Sequence, residues 1–162
     1  MQTFFRYNWI VREQWYEWCE GVPHEELLKA RTGGVGGILK TLFHIADVEY
    51  SWIQLLQDKA DFQDPFEMYG TLEQVRALDR RLRPDVEAFV AAWEPAMETR
   101  PLHGVRSDGT PEVLAWGEVM RHAVAHEIHH IGQLSVWARE IGRAPVSANL
   151  IGNGLIVPSL RS

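Results

Sequence analysis

Cysteine is almost missing from this chain. The single Cys19 has no partner for an internal disulfide, which fits a reducing compartment, and a cytoplasmic location is the expectation. No basic segment followed by an apolar stretch of the secretory type stands at the start of the sequence. Long apolar runs are lacking too: charges and histidines interrupt every one well short of the roughly 20 residues that a membrane-crossing helix requires, so no membrane partner is expected. Positive charge is in deficit, with 16 Lys and Arg against 22 Asp and Glu and a formal net charge of −6. The chain therefore has no basic footprint, and nucleic acid is not expected as a partner. Internal repeats, low-complexity segments and alternating patterns long enough for a sheet are absent as well, which leaves helices to make the core.

A length of 162 residues predicts one domain, 1–162, large enough to bury a core without staples. Phe5, Trp9, Trp15 and Trp18, set among Arg12, Glu13, Glu17 and Glu20, predict an amphipathic first helix from residue 3 to about 20, ended near Gly21. Pro23 opens a short turn or helical piece, and residues 32–37 form a glycine-rich connector. No Gly-Lys-Ser/Thr follows those glycines and no strand pattern precedes them, so they read as a bend and not as a phosphate loop. A second long helix spans about Val35 to Gln57, and Thr71 caps a third that runs to about Trp93, interrupted or kinked at Pro84. Residues 95–110 form a long connection with room for a hairpin-like excursion. Pro111 fits the first turn of a fourth helix ending near Ile141, with Gly142 as its C-cap. The tail beyond carries an apolar run from Asn149 to Val157, followed by Pro158, that packs across the bundle or makes a dimer contact. Four long helices read as an all-α bundle. Its seven tryptophans are expected in core layers and pocket walls.

The fourth helix holds the chemistry. His122, His126, His129 and His130 crowd into nine residues and account for four of the seven histidines. At about 100° per residue, His126 and His130 fall roughly 40° apart, so their rings stand one turn above the other on one face. That face also carries Trp116, Val119, Ala123, Leu134, Trp137 and Ile141, whereas Arg121, Ala125, Gly132 and Arg139 lie opposite. Two imidazoles in an apolar stripe are costly unless their nitrogens find partners, and a shared metal ion offsets that cost. The third ligand is expected from His44, on a face of the second long helix with Thr41, Val48, Ser51, Trp52 and Leu55; the loop residue His103 comes second. His122 suits an outer or substrate-facing role, and His129 and His24 suit the surface. Three neutral imidazoles leave a fourth tetrahedral position to water or substrate, as catalytic sites do.

The string His126-Glu127-Ile128-His129-His130 also satisfies the zinc-peptidase pattern H-E-x-x-H. A metzincin would continue with glycine at 133 and histidine at 136, where this chain has Gln133 and Val136. A thermolysin-like enzyme would need a later glutamate from another helix, and the only later one, Glu140, lies on the same helix. The useful content of the string is its His-x-x-x-His spacing.

Taken together, Tyr7-Asn8-Trp9, the segment Leu42-Phe43-His44-Ile45-Ala46-Asp47-Val48-Glu49 with Trp52, and His122-x-x-x-His126-Glu127-x-x-His130-x-Gly132-Gln133 resemble the DinB-like proteins. These include the YfiT-like hydrolases and the bacillithiol- and mycothiol-dependent transferases. The resemblance implies a four-helix bundle of DinB/YfiT type with a divalent metal ion, zinc or nickel, on His44, His126 and His130. It further implies a metal-dependent enzyme acting on a small molecule, expected to be a thiol S-transferase using a low-molecular-weight thiol. A YfiT-type hydrolase and a non-catalytic dimeric metal- or small-ligand-binding protein are the alternatives, and a homodimer is expected. Glu127 or Asp47 would orient a ligand imidazole or move a proton. Two features depart from the pattern: Ile131 stands where relatives often have a basic residue, and the bend before the second long helix is unusually rich in glycine.

Overall fold

The computed structural model describes residues 1–106 and 108–156. Ser107 and the end of the tail, with Val157 and Pro158, lie outside the described residues. Four long helices make the bundle: α1 (Gln2–Glu20), α3 (Ile38–Leu56), α4 (Leu72–Ala91) and α5 (Trp116–Glu140). The short α2 (His24–Leu28) follows α1, and strands β1 (Pro101–Val105) and β2 (Pro111–Ala115) precede α5. Among the described residues the architecture is all-α apart from this hairpin. No helix among the described residues is long and apolar enough to cross a membrane.

Local chemistry sets the ends of the helices. Thr71 and Gln74 form a capping box at the start of α4, the Thr71 hydroxyl accepting from the Gln74 amide and the Gln74 side chain accepting from the Thr71 amide. The α5 C-terminus closes on Gly142 at φ +74°. There the Gly142 amide donates to Arg139 O at 2.9 Å and the Arg143 amide to Ala138 O at 2.9 Å, a Schellman arrangement. The start of α3 lies three residues later than the periodicity predicts. Gly33, Gly34 and Gly36 sit at φ +86°, +52° and +92°, outside the helical region, so the helix begins only after Gly37.

Two further expectations need correction. Of the interruption or kink expected at Pro84, the interruption is not found: α4 is continuous from Leu72 to Ala91 with Pro84 inside it. Pro111 does not open the last helix. It starts β2 and pairs with Val105, in an antiparallel register that also sets Leu102 against Leu114 and His103 against Val113. A pattern five residues long is too brief to show as an alternation, and only Leu102 and Leu114 turn toward the bundle, where they pack on its apolar residues.

The core falls into two apolar clusters. One gathers Val11, Trp15, Leu39, Leu42, Leu78, Ile131, Leu134 and Trp137; the other gathers Phe5, Ile53, Leu56, Val86, Val119, Met120 and Val124. Each long helix also contributes a buried charged side chain, Arg12 on α1, Glu49 on α3, Asp79 on α4 and Glu127 on α5, and on α3 and α5 it falls between the residues of the two clusters. These four residues meet in one ionic layer that joins the long helices, and the candidate site lies beside it in sequence on α3 and α5.

Candidate metal centre

His44 comes from α3, and His126 and His130 stand one turn apart on α5. The structure brings these three together: their ligand atoms all lie within 4.8 Å of one another. Nε2 of His126 is 3.1 Å from Nε2 of His44 and 3.1 Å from Nε2 of His130. Two nitrogens bound to one tetrahedral ion at about 2.0–2.1 Å would be about 3.3–3.4 Å apart, so the spacing is already close to that of a shared cation. His130 is 5% exposed, whereas His44 and His126 are half-buried. The α3 face read as inward is thus a flank of the bundle, and Leu55 on it is 49% exposed.

The hydrogen bonds around the rings decide which nitrogens face inward. His130 Nδ1–H donates to Gln133 Oε1 at 2.8 Å, which leaves His130 Nε2 with a bare lone pair toward the other two rings. The Gln133 amide in turn donates to His129 Nε2 at 2.8 Å. One proton on His126 Nε2 cannot serve both of its 3.1 Å neighbours well, but a cation accepts three lone pairs at once. Burial also keeps the rings neutral. It pushes His44 down to about 4, helped by His130 and Lys40, and His126 down to about 4, helped by His130, His44, His122 and His129. Burial lowers His130 as well, against the opposing pull of its bond to Gln133. Three neutral imidazole donors with converging lone pairs fit a divalent ion.

The sequence profile described as the DinB family matches residues 1–154. The chain belongs to the DinB family. It is also 46% identical over 155 residues to the Uncharacterized protein YizA of Bacillus subtilis (strain 168), with 96% of each chain covered.

The other candidate residues of this DinB-family protein lie elsewhere. His122 is exposed; its ring is 5.4 Å from that of Trp52 and 5.9 Å from that of His126. Trp52, His122, Leu114, Glu118 and Val119 line a cavity of about 300 Å³ beside the triad. A concavity of about 670 Å³ lies between α2 and the end of α5 and is lined by Glu26, Arg31 and Glu140 with no histidine. His24, His103 and His129 are exposed. Asp47 is half-buried and pushed up to about 6 by burial and by Asp61, and among the described residues it bonds to none of the three histidines.

Glu127 turns away from the triad. Its Oε1 accepts from Arg12 Nε at 2.9 Å and its Oε2 from Arg12 Nη2 at 2.5 Å. The same guanidinium reaches Asp79 at 2.8 Å and Glu49 at 3.0 Å, while Arg83 holds the second Asp79 oxygen at 2.6 Å and Trp9 Nε1 donates to Glu49 at 3.0 Å. Burial pushes Glu49 up to about 7, against the attraction of Arg12. Burial also acts to raise Asp79, but Arg12 and Arg83 outweigh it and hold that carboxyl below its usual value. This network was missed in the sequence, where Arg12 read as part of a polar face. The available signal was spacing, since Arg12 is seven residues from Phe5 and three from Trp15, on their stripe.

Proposed function

We propose that this DinB-family protein is a metal-dependent enzyme that transfers a low-molecular-weight thiol onto an electrophile, with a zinc or nickel ion on His44, His126 and His130. The observation that carries the reading is the open donor set: among the described residues, no fourth His, Cys, Asp or Glu joins the three imidazoles. A closed set of four would suit a structural ion, whereas three leave a position for an outside ligand. A divalent ion there would act as a Lewis acid and favour the ionised form of a coordinated thiol.

The protein's own groups do the rest. His130 is held in one orientation by Gln133, which keeps its Nε2 free to ligate. Trp52 and His122 wall the cavity next to the triad, where an apolar or aromatic electrophile would lie against the indole. His122 offers its ring nitrogens at that wall for a hydrogen bond to a bound molecule. The chain supplies no thiol of its own: Cys19 is 1% exposed, and its thiol is pushed up to about 12, chiefly by burial.

The test begins with metal content. Protein purified without a histidine tag is expected to carry close to one divalent ion per chain, and His44→Ala to carry little or none; equal content would remove His44 from the site. Loss of small thiols is then followed against a panel of aromatic and alkyl electrophiles. Stable metal binding with no thiol consumed across the panel would sink the transferase reading, and thiol-independent cleavage of amide substrates would put a hydrolase in its place.

A further inference from the structure

The glycine-rich bend before α3 touches the histidine centre at Gly34. A Cβ built on Gly34 would sit 2.2 Å from Gln133 Oε1 and 2.8 Å from Gln133 Cδ, far inside van der Waals contact. The neighbouring left-handed glycines lack such contacts: Gly33 meets nothing within 4 Å, and Gly36 meets only Arg31 O at 3.9 Å. The bend is fixed in place on both sides. Trp137 Nε1 donates to Thr32 O at 3.2 Å and Thr41 Oγ1 to Gly37 O at 2.7 Å, while the Arg31 amide donates to Gly36 O at 2.8 Å. The backbone at Gly34 is therefore a wall held against the Gln133 amide.

We infer that Gly34 is a positioning residue for the histidine centre: its bare backbone leaves room for the Gln133 amide at the place where Oε1 accepts the His130 Nδ1 proton. The consequence runs through one bond. Any side chain at 34 pushes the end of Gln133 aside, and because that end is flexible the fold survives while His130 loses its acceptor. His130 can then turn, or shift its proton to Nε2, and either change spoils a ligand nitrogen. The glycines of this bend thus have separate duties, with Gly33 and Gly36 shaping the turn and Gly34 making space for an amide.

The inference rests on the metal reading only for its affinity arm, so the experiment has two arms. Wild type, Gly34→Ala, Gln133→Ala and the double variant are compared, with Gly33→Ala as a control that carries backbone strain without the contact. In the metal-free protein, long-range proton–nitrogen NMR of the histidine rings reports the His130 tautomer near neutral pH. The expected result is the Nδ1–H form in wild type and Gly33→Ala, and a mixed population in Gly34→Ala and Gln133→Ala. In the second arm, zinc is titrated against a chromophoric chelator. Gly34→Ala and Gln133→Ala should each weaken zinc binding about tenfold or more, as outer partners of metal ligands do, and the double variant should be no weaker than Gln133→Ala alone.

Additive losses would show that Gly34 acts by strain and not through Gln133, and would overturn the inference. An unchanged His130 tautomer in Gly34→Ala would overturn it as well. Failure of wild type to bind zinc or any other divalent ion would overturn the metal reading alone, since the NMR arm uses metal-free protein.

Discussion

Arg12 is 1% exposed and faces a carboxylate from each of the other three long helices. Arg12→Met fills the same space without charge and leaves Glu49, Asp79 and Glu127 buried without their shared cation, with Arg83 still on Asp79 and Trp9 Nε1 still on Glu49. Removing one partner from a buried ionic group costs about 3–5 kcal/mol, so urea unfolding at neutral pH should show a loss of that size. The loss should shrink in mild acid, where the stranded carboxyls become protonated. A change below about 1 kcal/mol would mean that the network adds little to stability. At this scale the sequence revealed half of the picture. His44, His126 and His130 were legible because imidazoles at helical spacing on two apolar faces need a common explanation. The Arg12 network was not, because a charged residue on an amphipathic helix is usually solvated, and its burial depends on three partners distant in the chain.

The helices themselves were legible to within a few residues wherever a cap or a period defined them, as at Thr71 and Gly142. Pro84 was not, since its effect depends on what surrounds it. It is exposed, in the interior of α4, where its ring removes the amide that would donate to Arg80 and crowds that carbonyl. Pro84→Ala should therefore raise stability by about 1–3 kcal/mol, read as a higher melting temperature with unchanged metal content. A lower melting temperature would show that the ring contributes more by stiffening the unfolded chain than it costs the helix. Of the hairpin, the sequence showed only room for an excursion in residues 95–110, and its second strand, Pro111–Ala115, was missed for a different reason. Val105 and Val113 are 68% and 61% exposed, so the hairpin's apolar residues face both ways and no single buried face marks it as a strand pair.

Across the molecule, the histidine centre links stability to pH. In the metal-free protein, His44 and His126 titrate near 4 and their unfolded counterparts near 6.5. Between those values the unfolded chain binds more protons, so stability rises with pH through this window and levels off above it. Chemical denaturation of metal-free protein across the window should show that slope, and His44→Ala should flatten it. A slope equally steep in the variant would place its origin elsewhere.

The buried charged layer has one more consequence. Two apolar clusters stacked end to end would let a helix slide by a turn at modest cost, because one aliphatic side chain can stand in for another. Here a slip of α5 by four residues would bring Ala123 or Ile131 to the place of Glu127 and strand the Arg12 fork. The layer therefore works as an index mark, setting the axial position of every long helix to a single value. His126 is the residue next to Glu127, so the mark that aligns the bundle also aligns the ligand nitrogens with His44 before any ion arrives. An ion placed there would find the three imidazoles already gathered, with no helix left to slide into register.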